Sequence, residues 1–130
     1  DFMTLNNGRK IGIPFFVMTI FSTNLDPKDL VDEAFLRRIR HKIEVGNPDV
    51  EQFTEIFKII CKVKRVPYDE NGLRYLIKKW FIDMDRDLRM VHPRDIVAQM
   101  IDIAGYLDIP PTMSNRELID RAAASYFVEL

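Results

Sequence analysis

Residues 14–21, Pro-Phe-Phe-Val-Met-Thr-Ile-Phe, form an apolar run relieved only by Thr19. A run this short and this apolar fits a strand buried on both faces, as in a parallel sheet. Such a strand cannot satisfy its own ladder hydrogen bonds, so it demands neighbours on its edges. The rest of the chain offers few. Asn7-Gly8 is a strong hairpin signal, because a type I′ turn needs the positive φ that Asn and Gly supply. It joins Phe2–Leu5 to Lys10–Ile13, and Lys42-Ile43-Glu44 reads as one more short strand. The expectation is therefore a piece of a larger α/β layer. Asp-Phe-Met-Thr has neither an initiator Met nor the shape of a signal peptide, and reads as a cut end.

From Asn47 onward the apolar pattern turns helical. Asn47-Pro48 is a helix start, and Val50, Phe53, Ile56, Phe57, Ile60 and Val63 mark one face. A second segment carries Leu73, Leu76, Ile77, Trp80, Phe81 and Met84. A third starts at Pro93 with Ile96, Val97, Met100, Ile101, Ala104 and Leu107, and Pro110-Pro111 ends it. The fourth opens on Ser114 with Glu117 three positions on, a capping-box pattern, and buries Leu118, Ala122 and Tyr126. Four amphipathic helices of this length can enclose a small core. The expected fold is mainly α: an α/β remnant over residues 1–46, holding a hairpin and a buried strand, then a four-helix bundle over 47–130. Gly46-Asn47 is the expected hinge, since Gly absorbs dihedral change at little cost.

Composition narrows the function classes. Nineteen basic and twenty acidic side chains leave a net charge of −1, without the surplus of a dedicated nucleic-acid binder. The single Cys61 excludes an intrachain disulfide and a cysteine-rich metal site, and suits a reducing, cytoplasmic setting. No apolar run approaches the roughly 20 residues that span a bilayer, so no membrane partner is expected. His41 and His92 have no companions at metal-ligand spacing, and no metal site is expected. Asp83, Asp85 and Asp87 imitate the start of a calcium loop, but Leu88 replaces its Gly and Arg94 its bidentate Glu.

Two places could carry chemistry. Asn24 closes the apolar run after Ser22-Thr23, and ligands of open α/β sheets sit beyond the carboxyl ends of strands. A carboxamide there can donate to a phosphate oxygen or orient a water; equally, Asn24 can simply open a turn and cap the next helix. Asp26-Pro27 begins a short helix that ends in Leu36-Arg37-Arg38-Ile39-Arg40. Cations at a helix C-terminus follow from the macrodipole alone. Three arginines in four positions are also a dense display of planar donors suited to phosphate.

The order Ser22-Thr23-Asn24, Asp32-Glu33-Ala34-Phe35-Leu36-Arg37-Arg38-Ile39-Arg40, Lys42-Ile43-Glu44 and Pro48-Asp49 resembles the second half of an AAA+ ATPase module. The resemblance covers about residues 14–49 and implies Asn24 as sensor 1. It implies Arg37 and Arg40 as arginine-finger positions. Arg38 is the lesser finger candidate and, with Arg94, a contact to the nucleotide. His92-Pro93-Arg94-Asp95-Ile96 opens the third bundle helix where many such lids carry a sensor 2 Arg; a plain surface pair between Arg94 and Asp95 is the alternative. The chain departs from the pattern at Ile39, where many relatives place Gly. In a complete module the resemblance implies ATP and Mg²⁺ as cofactors. It also implies a ring of neighbouring subunits, by resemblance a hexamer, and a protein or nucleic-acid client. The five glycines nowhere form Gly-x-x-x-x-Gly-Lys-Ser/Thr and no strand ends in Asp-Glu, so hydrolysis by this chain alone is not expected, nor a tightly held nucleotide. The alternative is a mostly helical module whose arginines bind an acidic protein or nucleic-acid phosphates; a third is an assembly domain that has lost its catalysis.

Overall fold

The computed structural model describes residues 2–14 and 16–128. The chain is mainly helical, with one small antiparallel sheet. It divides into two compact units, Asp1–Ile43 and Glu44–Leu130; the expected regions met at Gly46-Asn47.

In the first unit, β1 (Phe2–Thr4) pairs with β2 (Lys10–Gly12), Phe2 opposite Gly12 and Thr4 opposite Lys10. The hairpin falls at Asn7-Gly8 but is not the expected type I′ turn: Gly8 has φ 79° while Asn7 does not have positive φ, the Gly8 amide donates to the Leu5 carbonyl at 2.9 Å, and Asn7 Oδ1 accepts from the Arg9 amide at 3.1 Å. The helix expected from Asp26-Pro27 to the arginines is two helices, α1 (Pro27–Leu30) and α2 (Glu33–Arg38). Val31 is extended, and Asp32 begins the second helix by accepting from the Phe35 amide at 2.8 Å.

The buried strand is corrected. Residues 16–21 have no regular structure and their side chains are exposed, Phe16 by 94% and Met18 by 86%; Phe15 lies outside the described residues. Residues 42–44 likewise form no strand. Among the described residues β1 and β2 are the strands, and they pair with each other, so the apolar run has no ladder to join. No described residue of this unit is buried.

The second unit is a packed bundle. α3 (Val50–Lys64) begins with a capping box, Asp49 accepting from the Gln52 amide and Gln52 from the Asp49 amide. The start expected at Asn47-Pro48 moves two positions inward, because Asp49 has Gln52 three residues on and the pair satisfies two orphan amides together. Arg65 ends α3 in the left-handed region. α4 (Glu70–Ile77) is capped by Asp69 and runs into a π-helical turn, Lys78–Ile82, that the regular period gave no hint of. α5 (His92–Leu107) ends on left-handed Asp108. α6 (Arg116–Tyr126) is capped by Asn115, not by Ser114, whose hydroxyl hydrogen-bonds to that of Thr112.

The core is built by Phe53, Phe57, Leu76, Phe81, Ile96, Met100, Leu118 and Ile119, with Cys61 buried among them. Gly72 lets α4 come close to the chain: an added Cβ would collide with the Met113 carbonyl. Among the described residues, no helix is long and apolar enough to cross a membrane.

Candidate functional site

Three arginines dominate the end of the first unit's helical pair. Leu36 and Ile39, half-buried, hold the inward side of α2, while Arg37, Arg38 and Arg40 stay exposed. Phe35 also meets Phe21 edge-on at 6.5 Å, which ties α2 to the apolar run. Arg37 Nη2 donates to Glu33 Oε1 at 2.8 Å, an i,i+4 pair with both side chains more than three-quarters exposed. Pairs this wet contribute about 0.3–0.5 kcal/mol, so Arg37 can leave Glu33 for a stronger anion. Lys42 Nζ donates to the Ile39 carbonyl at 2.9 Å, adding a fourth cation at the helix end.

Asn24 is exposed in the turn that precedes α1. The capping work open to it is done by its neighbours instead. Thr23 Oγ1 accepts from the Leu25 amide at 3.0 Å, and Asp26 Oδ1 from the Lys28 amide at 3.0 Å. Asn24 and the arginines thus share one unit, with Asn24 ahead of the two helices and the arginines at their end.

Arg94 belongs to the second unit. It sits in the first turn of α5, donates from Nε to Asp95 Oδ1 at 2.9 Å, and remains 65% exposed. The surface pair with Asp95 that the sequence offered is therefore made. Asp95 also accepts from the Tyr126 hydroxyl at 2.9 Å, which joins α5 to α6. Burial opposes ionisation of Asp95, but the hydrogen bonds from Arg94 and Tyr126 outweigh it and hold the carboxyl below its ordinary value. Beside it His92 is buried, its ring against Phe81, Tyr126 and Phe127, with Nδ1 accepting from the Arg89 amide at 3.2 Å. Burial, then the charges of Arg89 and Arg86, push its pKa down from the ordinary imidazole value, against the opposing charge of Asp95.

The donor sets decide what these places can hold. Guanidinium groups fit phosphate oxygens in bidentate fashion. A divalent metal is another matter: among the described residues no three His, Cys, Asp or Glu side chains gather in a way that could hold one. Among the described residues the exposed guanidinium groups are therefore suited to phosphate oxygens, and no carboxylate cluster is suited to Mg²⁺. Cys61 is no nucleophile, since burial pushes its thiol up to about 11.

One polar centre escaped the sequence. Asp120 of α6 accepts from the Tyr75 hydroxyl at 2.6 Å, from Trp80 Nε1 at 2.9 Å and from Lys79 Nζ at 3.0 Å. It joins α4, the π-helical turn and α6 through one half-buried carboxylate. Burial opposes its ionisation, but the three donors outweigh that and hold it below the ordinary carboxylate value. Trp80 is thus a polar anchor as well as the core anchor its spacing suggested.

Residues 49–125 match the family described as "Domain of unknown function (DUF8689)", and the chain belongs to that family. The match covers α3 through most of α6 and lies wholly in the second unit. No curated protein matches the chain, and no solved structure matches it.

Proposed function

We propose that this member of the DUF8689 family supplies the second half of an AAA+ ATPase module, coupling ATP hydrolysis to the remodelling of a macromolecular client. The single observation that carries the proposal is the arginine cluster. Arg37, Arg38 and Arg40 stand exposed at the end of a capped helix, the one pairing among them in the described residues is weak, and Asn24 precedes them in the order that AAA+ modules use. In that role Asn24 serves the nucleotide of its own subunit. Arg37 or Arg40 completes the phosphate site of the neighbouring subunit, where a guanidinium from the partner is worth about 10³–10⁵ in rate. Arg38 and Arg94 add phosphate contacts, Arg94 by trading Asp95 for the nucleotide. The helical unit acts as the lid, moving as a body when the nucleotide changes. ATP and Mg²⁺ would be held by residues outside this chain, in a ring of like subunits.

The test is steady-state ATP turnover by the full-length protein over a range of protein concentrations, with Arg37→Ala, Arg38→Ala and Arg40→Ala made separately. Specific activity that rises with concentration, and one substitution that abolishes it without loss of nucleotide affinity, is the expected result. Absence of turnover, or indifference to all three substitutions, would overturn the proposal.

A further inference from the structure

The outward side of α3 carries two parallel rows of residues. Gln52, Ile56, Ile59 and Val63 recur at steps of four, three and four, and form a stripe along the helix. Ile59 is 58% exposed; Val63, expected on the face of Phe53 and Phe57, is instead 68% exposed, and Ile56 is half-buried at the border of the core. Isolated exposed apolar residues need no explanation, but Ile56, Ile59 and Val63 at helical spacing, continued by the polar Gln52, make a second, smaller apolar patch on a helix that already buries Phe53, Phe57 and Cys61 on another side.

The second row flanks the first at the same steps: Glu51, Glu55, Lys58 and Lys62. Its first half is acidic and its second half basic. Only Glu55 and Lys58 pair within the row among the described residues, at 3.2 Å, with both side chains about half exposed. In a two-fold antiparallel helix pair each flanking row meets its own copy, running the other way. Glu51 then faces the partner copy's Lys62, and Glu55 its Lys58. A parallel pair would instead set this row against the flank that holds Phe53 and Ile60, which is occupied by the bundle's own core.

We propose that a second copy of this chain docks on this face, α3 against α3, antiparallel about the middle of the helix. The apolar stripes form the contact and the acid-to-base rows set its direction. The proposal rests on the second unit alone and does not depend on the ATPase reading. About four turns of helix bury less than the roughly 1,600 Å² of a standard stable interface, so the pairing is weak in free solution. A test that traps the pair therefore serves better than one that sizes it.

Gln52→Cys and Val63→Cys chains are prepared separately, then oxidised alone and mixed, with far-UV circular dichroism confirming the fold of each. Native Cys61 is buried and remains as it is. The expected result is a disulfide-linked dimer in the mixture and little in either chain alone, because the antiparallel register sets position 52 against position 63. Each pair is then made again with Glu51→Lys and Glu55→Lys in both chains, or with Lys58→Glu and Lys62→Glu in both. Either change should cut cross-linking at least tenfold, and placing one change in each partner should restore it. Cross-linking of Val63→Cys with itself as strongly as in the mixture, no cross-linking anywhere, or indifference to the charge swaps would each overturn the proposal.

Discussion

The two units of this chain spend similar apolar side chains in opposite ways. In the first, Phe16, Met18 and Ile20 lie 94, 86 and 78% exposed; in the second, Phe53, Phe57 and Leu76 are fully buried. The difference is one of partners. An amphipathic helix brings its own backbone hydrogen bonds and needs only another apolar stripe, which three further helices supply. An apolar strand brings half a ladder and needs strands on both sides, which the described residues do not supply. Hydrophobicity alone therefore does not make a core; the element that carries it must be one the rest of the chain can complete.

The largest effects should fall on the bundle. Phe53→Ala or Phe81→Ala should destabilise the chain by about 3–5 kcal/mol in chemical denaturation followed by circular dichroism, while Phe16→Ala or Met18→Ala should stay within about 0.5 kcal/mol. Equal losses in both units would break the contrast. Next comes Asp120→Ala, which strands the Tyr75 and Trp80 donors and should cost about 2–3 kcal/mol in the same assay. A loss under 0.5 kcal/mol would remove that carboxylate as the tie between α4 and α6. Gly72→Ala should destabilise by about 1–2 kcal/mol although Ala is the better helix former, because its methyl meets the Met113 carbonyl. A stabilised variant would mean that α4 can shift freely.

Smaller effects sharpen the picture. His92 has a folded-state pKa below the ordinary 6.5, so the unfolded chain binds the proton more readily. Its contribution to stability is complete above about pH 6.5 and is lost as pH falls from there through the folded value. His92→Gln should flatten that slope between pH 7 and 5; an unchanged slope would assign it elsewhere. Tyr68 has a buried hydroxyl that meets no hydrogen-bond partner among the described residues, so Tyr68→Phe should leave stability within about 0.5 kcal/mol or raise it slightly.

Local signals were the legible ones. Asn7-Gly8 places the hairpin, though not its turn type, because a turn is decided largely by the residues in it, and the four apolar stripes announce four helices because each repeats within a few turns. Caps slipped by two positions to Asp49 and by one to Asn115, since several polar residues compete at each helix start and the backbone geometry chooses between them. The apolar run at residues 14–21 misled because strand formation depends on neighbours elsewhere. The π-helical turn and the Asp120 centre were not legible at all. Asp120 meets Trp80 and Tyr75 across 40 and 45 residues, a juxtaposition that no spacing rule reaches. The arginine cluster was plain in the sequence. The Glu33 grip on Arg37 was equally readable as an i,i+4 pair, and it separates Arg37 from Arg38 and Arg40 as the side chain that must first let go.

On the proposed function, the self-sufficient unit is the lid, and the exposed unit carries groups that serve two different sites, Asn24 its own and an arginine the neighbour's. Subunit mixing tests that division most directly. Full-length protein carrying Asn24→Ala, and full-length protein carrying the inactivating arginine substitution, are each assayed alone for ATP turnover and then mixed. Recovery of turnover in the mixture is the expected result, because some interfaces then join an intact Asn24 to an intact arginine from the adjacent subunit. Two inactive variants that stay inactive at every mixing ratio, although they assemble together, would contradict it.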